Sequence, residues 1–364
     1  MDAAPDTCGA RRTARRRIGW IVLGVVSFVV VAAVLGRLSG PQFAPTLRPK
    51  VNAFLADKDS YDAVYIGSSR VQRGVRPDVI DPRLSTPERP FRSFNLGVPG
   101  MESFEADAVL REILAAKPER LRFVLIEAPR WRVPTMMSKK RTVRDLQWHD
   151  VSMTREMLRS IWRTSDPLRK KLEWSWDHLR LFFWRLSNYA RGSLLPSEPT
   201  PAVQRLTAGL ATVRGYIPLS EQMGGRAAER RRRFLSNARS YRKEVAEIRR
   251  RAEDGILPDA AVDARYNRPA LVGQVERLRE AGVVPVYFAP PLLIPVADYE
   301  GMAREGWMPH LIDLRDPREY PSLFDPGQRF DREHMTLQGA RRMSLEVARQ
   351  LGPIVAADEA NRPD

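Results

Sequence analysis

The chain has 364 residues, with 60 Lys and Arg against 44 Asp and Glu, a formal net charge of +16 and 43% hydrophobic residues. This length and apolar content allow a sizeable buried core, which excludes a fully disordered or collagen-like protein. The single cysteine, Cys8, excludes an intrachain disulfide framework and a multi-cysteine metal site, and with only four histidines we expect no metal and no cofactor.

The first predicted element is a membrane-spanning helix over Ile18–Gly36, a run of 19 residues without charge. At about 1.5 Å per residue the run reaches roughly 28 Å, close to the thickness of a bilayer's hydrocarbon core. Arginines precede it, and basic flanks stay in the cytoplasm, so we expect a single-pass inner-membrane protein with a cytoplasmic N-terminus and a periplasmic domain. A cleaved signal peptide, whose apolar region is usually shorter at about 7–15 residues, and a buried helix of a soluble protein are the alternatives.

This topology divides the chain into segments of different character. A basic cytoplasmic tail, the anchor and a proline-containing stalk precede an α/β domain, which a helical insertion interrupts and a short tail follows. The predicted boundaries are 1–17 for the basic tail, 18–36 for the anchor, 37–58 for the stalk, 59–352 for the domain, 132–265 for its insertion and 353–364 for the C-terminal tail.

The domain opens with a strand-helix-strand pattern. Two short β-rich runs, Tyr61–Gly67 and Phe91–Gly100, each end in a glycine-containing turn. Ser103–Pro118 is predicted to be a helix with Ser103 as its N-cap. Leu121–Pro129 is a near-continuous apolar run of strand length, as expected of a parallel strand that is buried on both faces. This order predicts a parallel α/β sheet.

Beyond residue 131 the alternation stops, and the sequence becomes rich in Trp and Arg. Six Trp lie at the start of this region: Trp131, Trp148, Trp162, Trp174, Trp176 and Trp184. From Arg226 to Arg251 there are 11 Lys and Arg and three Glu. A lid that binds a saccharide or an anionic polymer would use such residues. A helical subdomain with a Trp core is the plainer interpretation, and contact with anionic lipid head groups is a third.

The alternation of helices and strands then resumes. Ala270–Gly282 is amphipathic and predicts a helix, followed by strands over Val283–Pro291 and His310–Asp316. A final helix is predicted over Met335–Leu351. The sequence therefore predicts an α/β domain whose two parts flank the insertion.

Three short motifs at predicted strand or helix ends carry candidate chemistry. IGSSR places Ser69 after the first strand, NLGVPG places Gly100 after the second, and DREH, which includes His334, precedes the last helix. In an open parallel sheet, ligands bind beyond the carboxyl ends of the strands. A histidine is the natural general base for a serine hydroxyl, and a nearby carboxylate such as Asp331 fixes its tautomer.

The order of these motifs resembles that of the SGNH (GDSL-like) hydrolase superfamily over residues 59–130 and 268–351. The resemblance implies a flavodoxin-like three-layer sandwich with a parallel sheet. It also implies a catalytic triad of Ser69 as nucleophile, His334 as base and Asp331 as its orienting acid. The backbone N–H groups of Ser69 and Gly100 would then form the oxyanion hole.

The chain departs from the family after the third strand. Where the family has Gly-x-Asn-Asp, this sequence has Ala128-Pro129-Arg130-Trp131, so Arg130 is the candidate for the third oxyanion donor. Similar departures, with an N-terminal anchor, occur in the branch that resembles alginate O-acetylation proteins and DltD-type proteins. That likeness implies an anchored serine esterase or O-acyltransferase acting on acyl esters of a cell-surface or exported polysaccharide, beside a membrane-bound O-acyltransferase.

Other functions fit parts of the sequence. A non-catalytic SGNH-fold protein that docks on a membrane-bound O-acyltransferase would explain the missing Asn, and a lipid- or glycan-binding module would use the insertion. Nucleic acid is not expected as a partner, because the charge lies outside the cytoplasm. His149, His178 and His310 show no partner spacing and are interpreted as structural, and Glu127 receives no role.

Overall fold

The computed structural model describes residues 7–38, 47–128, 146, 148–163, 166–187, 210, 214–220, 225–253, 268–293 and 299–361. The chain forms two compact units. The first comprises Met1–Ala44 and Met137–Glu198, and the second comprises Pro45–Met136 and Pro199–Asp364.

The strands are interspersed with helices along the chain. The strands are β1 (Ala63–Ile66), β2 (Ser93–Asn95), β3 (Phe123–Glu127), β4 (Val284–Ala289) and β5 (Leu311–Asp313). The helices are α1 (Thr7–Leu38), α2 (Leu47–Ala56), α3 (Ser69–Gly74), α4 (Pro77–Leu84), α5 (Ser103–Ala115), α6 (Val151–Trp162), α7 (Leu168–Leu186), α8 (Gly225–Ser236), α9 (Ala238–Glu253), α10 (Arg268–Glu280), α11 (Tyr299–Arg304) and α12 (Leu337–Ala360).

The second unit is built on a five-stranded sheet in the order β2-β1-β3-β4-β5, with parallel neighbours throughout. Successive strand residues face opposite sides, so Ala63 and Tyr65 join an apolar cluster with Met343 of α12. On the other face, the Tyr287 hydroxyl of β4 donates to Gln274 of α10 at 2.9 Å. Helices therefore cover both faces, which is compatible with three layers. The predicted parallel α/β sheet is confirmed.

The strand order determines where a ligand would bind. In doubly wound sheets of order 2-1-3-4-5, ligands bind outside the carboxyl ends of the strands, at the point where the order reverses. Here that point lies between β1 and β3, which pair from Ala63 with Phe123 to Ile66 with Ile126. Residues after these two strands are therefore the natural place for a site.

Several element boundaries differ from the sequence-based expectation. Glu102, not Ser103, is the N-cap of α5, because the Glu105 carboxylate accepts the Glu102 backbone N–H at 2.7 Å. Part of the predicted stalk forms α2, whose Leu47 and Phe54 are buried. The proline-rich surroundings hide the helical spacing of those apolar residues.

The last helix begins later and ends later than predicted. It starts at Leu337 and continues to Ala360, through Pro353 and through most of the predicted C-terminal tail. Val355 is buried, and Asp358 pairs with Arg122 at 2.7 Å. The extension is thus an integral part of the second unit, because it covers apolar surface and neutralises a buried guanidinium.

The first unit contains the apolar segment Ile18–Gly36 within α1, where large apolar side chains such as Ile21 and Val34 are 65% and 47% exposed. Among the residues that the structure describes, no helix meets the combined length and apolarity required of a membrane span. Helices α6 and α7 pack together, and the buried rings of His149 and His178 hydrogen-bond at 2.9 Å.

The tryptophans of the predicted insertion differ in burial. Trp148 is buried, whereas Trp162 and Trp176 are 51% and 62% exposed. Trp174 and Trp184 lie under the cations of Lys170 and Arg180. Trp131 lies outside the described residues.

Candidate active site

Ser69 lies where the turn after β1 enters α3. Ser68 is the N-cap of α3, and its hydroxyl oxygen accepts the Arg70 backbone N–H at 3.3 Å. Ser69 is the first residue of the helix and is partly exposed. Its backbone amide is therefore one of the helix N-terminal donors that favour a developing negative charge.

His334 and Asp331 lie on one tight loop before α12. Arg329 and Met335 form an antiparallel bridge, and the Phe330 N–H donates to the His334 carbonyl at 2.8 Å. The fully buried Arg329 guanidinium donates to the carbonyls of Pro291 and Arg332, at 3.1 and 2.5 Å. These bonds hold the loop in one conformation.

The structure brings the three predicted triad residues together. The distance from Ser69 Oγ to His334 Nε2 is 2.8 Å, although 265 positions separate the two residues. His334 Nδ1 lies 2.9 Å from both carboxylate oxygens of Asp331. Asp331 Oδ1 also accepts the backbone N–H groups of Glu333 and His334, at 2.8 and 2.9 Å. Serine, imidazole and carboxylate thus form one hydrogen-bonded line.

The electrostatics of this line favour a neutral imidazole beside an ionised carboxylate. Burial lowers the pKa of His334 below its ordinary value, and the charges of Arg73 and Arg230 add to this, while Asp331 opposes it. Burial alone would raise the pKa of Asp331, but hydrogen bonds from His334 and Glu333 and the charge of Arg230 outweigh it and lower that pKa to about 2. At neutral pH the imidazole can therefore accept a proton.

A cavity of about 190 Å³ lies beside Ser69, and Gly100 lines it as well. Gly100 has φ of +63°, a left-handed conformation that glycine adopts without steric cost. The loop before it is fixed by Asn95, whose side-chain amide donates to the carbonyls of Val71 and Val75 at 2.8 and 2.6 Å. The second predicted oxyanion residue thus lies in the same cavity as the serine. Arg130 lies outside the described residues.

The sequence analysis did not predict three charged residues of this site, which are Arg70, Glu127 and Arg230. Glu127 ends β3 and lines the cavity together with Arg70. Arg230 of α8 contacts the Asp331 carboxylate at 2.7 Å. A carboxylate at the end of an apolar strand is a signal that could have identified Glu127, but nothing in the local pattern of α8 distinguishes Arg230 from its neighbouring arginines.

The described residues contain no group of three or more His, Cys, Asp or Glu side chains arranged to hold a metal ion. The chain matches no protein-family model and no curated protein sequence. The chemistry of the site therefore has to be argued from its own geometry.

Proposed function

We propose that this protein is a serine-dependent acyl-ester hydrolase or acyltransferase with an SGNH-type, flavodoxin-like domain. The observation that carries the proposal is the line of contacts from Ser69 Oγ to His334 Nε2 at 2.8 Å and from His334 Nδ1 to Asp331 at 2.9 Å. The strand order and the position of the cavity beyond the ends of β1 and β3 support the fold assignment.

The geometry suits a two-step acyl transfer. Ser69 Oγ attacks the acyl carbonyl carbon while His334 Nε2 takes the hydroxyl proton, and the N–H groups of Ser69 and Gly100 stabilise the oxyanion. The tetrahedral species collapses, the ester C–O bond breaks, and His334 returns the proton to the leaving alcohol. Water or an acceptor hydroxyl then attacks the acyl carbonyl carbon while His334 takes its proton; the bond from that carbon to Ser69 Oγ breaks, and His334 returns the proton to Ser69. Asp331 holds the imidazole in the required tautomer throughout.

We further propose an extracytoplasmic location at the inner membrane and an acylated saccharide polymer as substrate. The uncharged run Ile18–Gly36, its arginine-rich N-terminal flank and the exposed apolar side chains of α1 support an anchor. The polymer, and a membrane-bound O-acyltransferase as partner, rest on the family resemblance.

A fluorophosphonate probe tests the nucleophile directly. We expect the full chain to be labelled, and labelling to disappear in Ser69→Ala and His334→Ala. Ser103→Ala is the matched control, since it removes another hydroxyl that lines the same cavity and should leave labelling unchanged. Folded wild-type protein that is not labelled, but co-purifies with a membrane protein, would instead support the non-catalytic scaffold.

A further inference from the structure

The Glu127 carboxylate contacts both residues that flank Ser69. Its Oε2 atom accepts the Ser68 backbone N–H at 2.5 Å, and its Oε1 atom accepts the Arg70 Nε–H at 2.6 Å. The side chains of Arg70 and Glu127 are only 10% and 7% exposed, so water screens this pair weakly. One buried carboxylate therefore fixes the backbone before the serine and the side chain after it.

The surrounding packing leaves this turn little freedom. A Cβ atom added to Gly67 would lie 2.5 Å from Val71 Cγ2 and 2.6 Å from Glu127 Cβ. Such distances are far below ordinary van der Waals contact, so the turn lies directly against the end of β3. Because β3 is an inner strand of the sheet, it provides a rigid support for the turn.

Arg70 extends the same network toward the base. Its guanidinium lies 3.7 Å from the Glu333 carboxylate, and Glu333 is part of the loop that carries Asp331 and His334. The Glu127–Arg70 pair thus connects the nucleophile turn, the end of β3 and the acid–base loop. These are the parts whose relative position sets the distance between Ser69 Oγ and His334 Nε2.

We infer that Glu127 is a positioning residue, which acts through Ser68 and Arg70 to hold the Ser69 hydroxyl against His334 for the reaction proposed above. The inference rests on that proposed function. Glu127 itself exchanges no proton with the substrate. Its loss should slow attack by Ser69 far more than it changes the affinity for the substrate, because misplacement of a reacting group mainly raises the barrier.

The experiment measures the fluorophosphonate labelling rate per folded molecule over a range of probe concentrations. In Glu127→Ala we expect the maximal rate to fall by roughly 10²-fold, the loss associated with a displacement of about 1 Å, with a much smaller change in the half-saturating probe concentration. Glu127→Gln keeps one acceptor oxygen and should recover part of the rate. Arg70→Ala leaves the Ser68 contact intact and should lose less than Glu127→Ala.

The matched control is Asp107→Asn, which also neutralises a buried carboxylate in the second unit. Asp107 pairs with Arg111 at 2.7 Å and with Arg277, within α5 and between α5 and α10. It should lower the free energy of unfolding and leave the labelling rate per folded molecule unchanged. If Glu127→Ala does not fold, the double variant Glu127→Ala with Arg70→Ala removes both charges together.

The outcomes separate this inference from the proposed function. Unlabelled wild-type protein would overturn both. If the wild type is labelled and both Glu127→Ala and Glu127→Gln are labelled at the wild-type maximal rate, the positioning role alone is overturned. Amide hydrogen exchange gives a readout without catalysis: the Ser68 amide should be protected in wild type and exchange faster in Glu127→Ala, and equal exchange would overturn the inference.

Discussion

At the scale of single residues, two guanidinium groups act on the acid–base pair. Arg230 contacts Asp331 Oδ2 at 2.7 Å, and the charge of Arg73 acts on the same pair. Both disfavour an imidazolium at His334. The imidazole of His334 therefore stays neutral down to mildly acidic pH, while the Asp331 carboxylate stays ionised.

The pH dependence of labelling should follow the deprotonation of His334. Because burial and the two guanidinium charges lower the pKa of His334, the rate should rise with pH around a midpoint below about 6.5, the ordinary histidine value. Arg230→Gln removes one of these charges, which raises that pKa and moves the midpoint to higher pH. The measurement is the labelling rate from about pH 4.5 to 8.5, a range that brackets the ordinary value.

Arg232→Gln is the control, because Arg232 is an exposed arginine on the same helix. Its midpoint should equal that of wild type. A midpoint in Arg230→Gln that equals or lies below the wild-type value would contradict this account of the imidazole.

Sequence reasoning identified the candidate triad residues but not the groups that support them. Ser69, Gly100 and His334 stand at element ends in short motifs, and the resemblance of the motif order to the SGNH superfamily implied that they converge. Glu127 and Arg230 contribute through contacts with residues distant in sequence. The end of an apolar strand marks Glu127 as a candidate, but no local pattern encodes its contacts or those of Arg230.

At the scale of elements, the acid–base loop is tied to the start of α12. The Gln328 carbonyl accepts the Thr336 N–H at 2.9 Å and the Thr336 hydroxyl at 3.1 Å. The Thr336 hydroxyl oxygen in turn accepts the Gly339 N–H at 3.0 Å and caps the helix. The position of the loop therefore depends on how closely Gly339 approaches Gln328.

Gly339→Ala should lower the free energy of unfolding by roughly 1–3 kcal/mol, the usual cost of overpacking. The new Cβ would lie 2.0 Å from the Gln328 carbonyl oxygen, a backbone atom that cannot rotate away. Gly352→Ala, in the same helix, is the control. There the nearest atom is 3.8 Å away, and removal of glycine flexibility should stabilise by roughly 0.5–1 kcal/mol. Urea denaturation measures both, and equal effects would contradict the packing argument.

The elements that sequence predicted best are those that are buried on both faces. The runs that became β1, β3 and β4 are apolar apart from Glu127 at the end of β3, because a parallel strand under helices has no polar face. Helix ends were less predictable. Residues 353–360 contain a proline and two acidic side chains, yet they stay helical because Arg122 and the apolar core hold them.

At the scale of the whole molecule, the chain combines two units of different surface character. Apolar side chains of α1 are exposed in the first unit, whereas the second buries a large apolar cluster around its sheet. The proposed anchor accounts for this exposure, since apolar surface of that extent is costly in water.

The proposed anchor predicts that the full chain stays in the membrane fraction after alkaline carbonate extraction. Val26→Arg should release it, because an arginine at the centre of a spanning helix costs about 2.5–3.5 kcal/mol in insertion. Leu168→Arg, at an exposed apolar residue of α7, should remain bound. Extraction of the wild-type chain by carbonate would contradict the anchor.

The residues that line the cavity and the residues of the acid–base loop come from different parts of the chain. Among the described residues that line the cavity, all but Glu333 come from residues 67–128, whereas Asp331 and His334 belong to the loop before α12. Under the proposed function, substitution of Asp331 and His334 would abolish turnover, whereas the residues that line the cavity would be unchanged. Such a variant should behave as a receptor, since it should still hold the ester that the wild-type protein is proposed to consume.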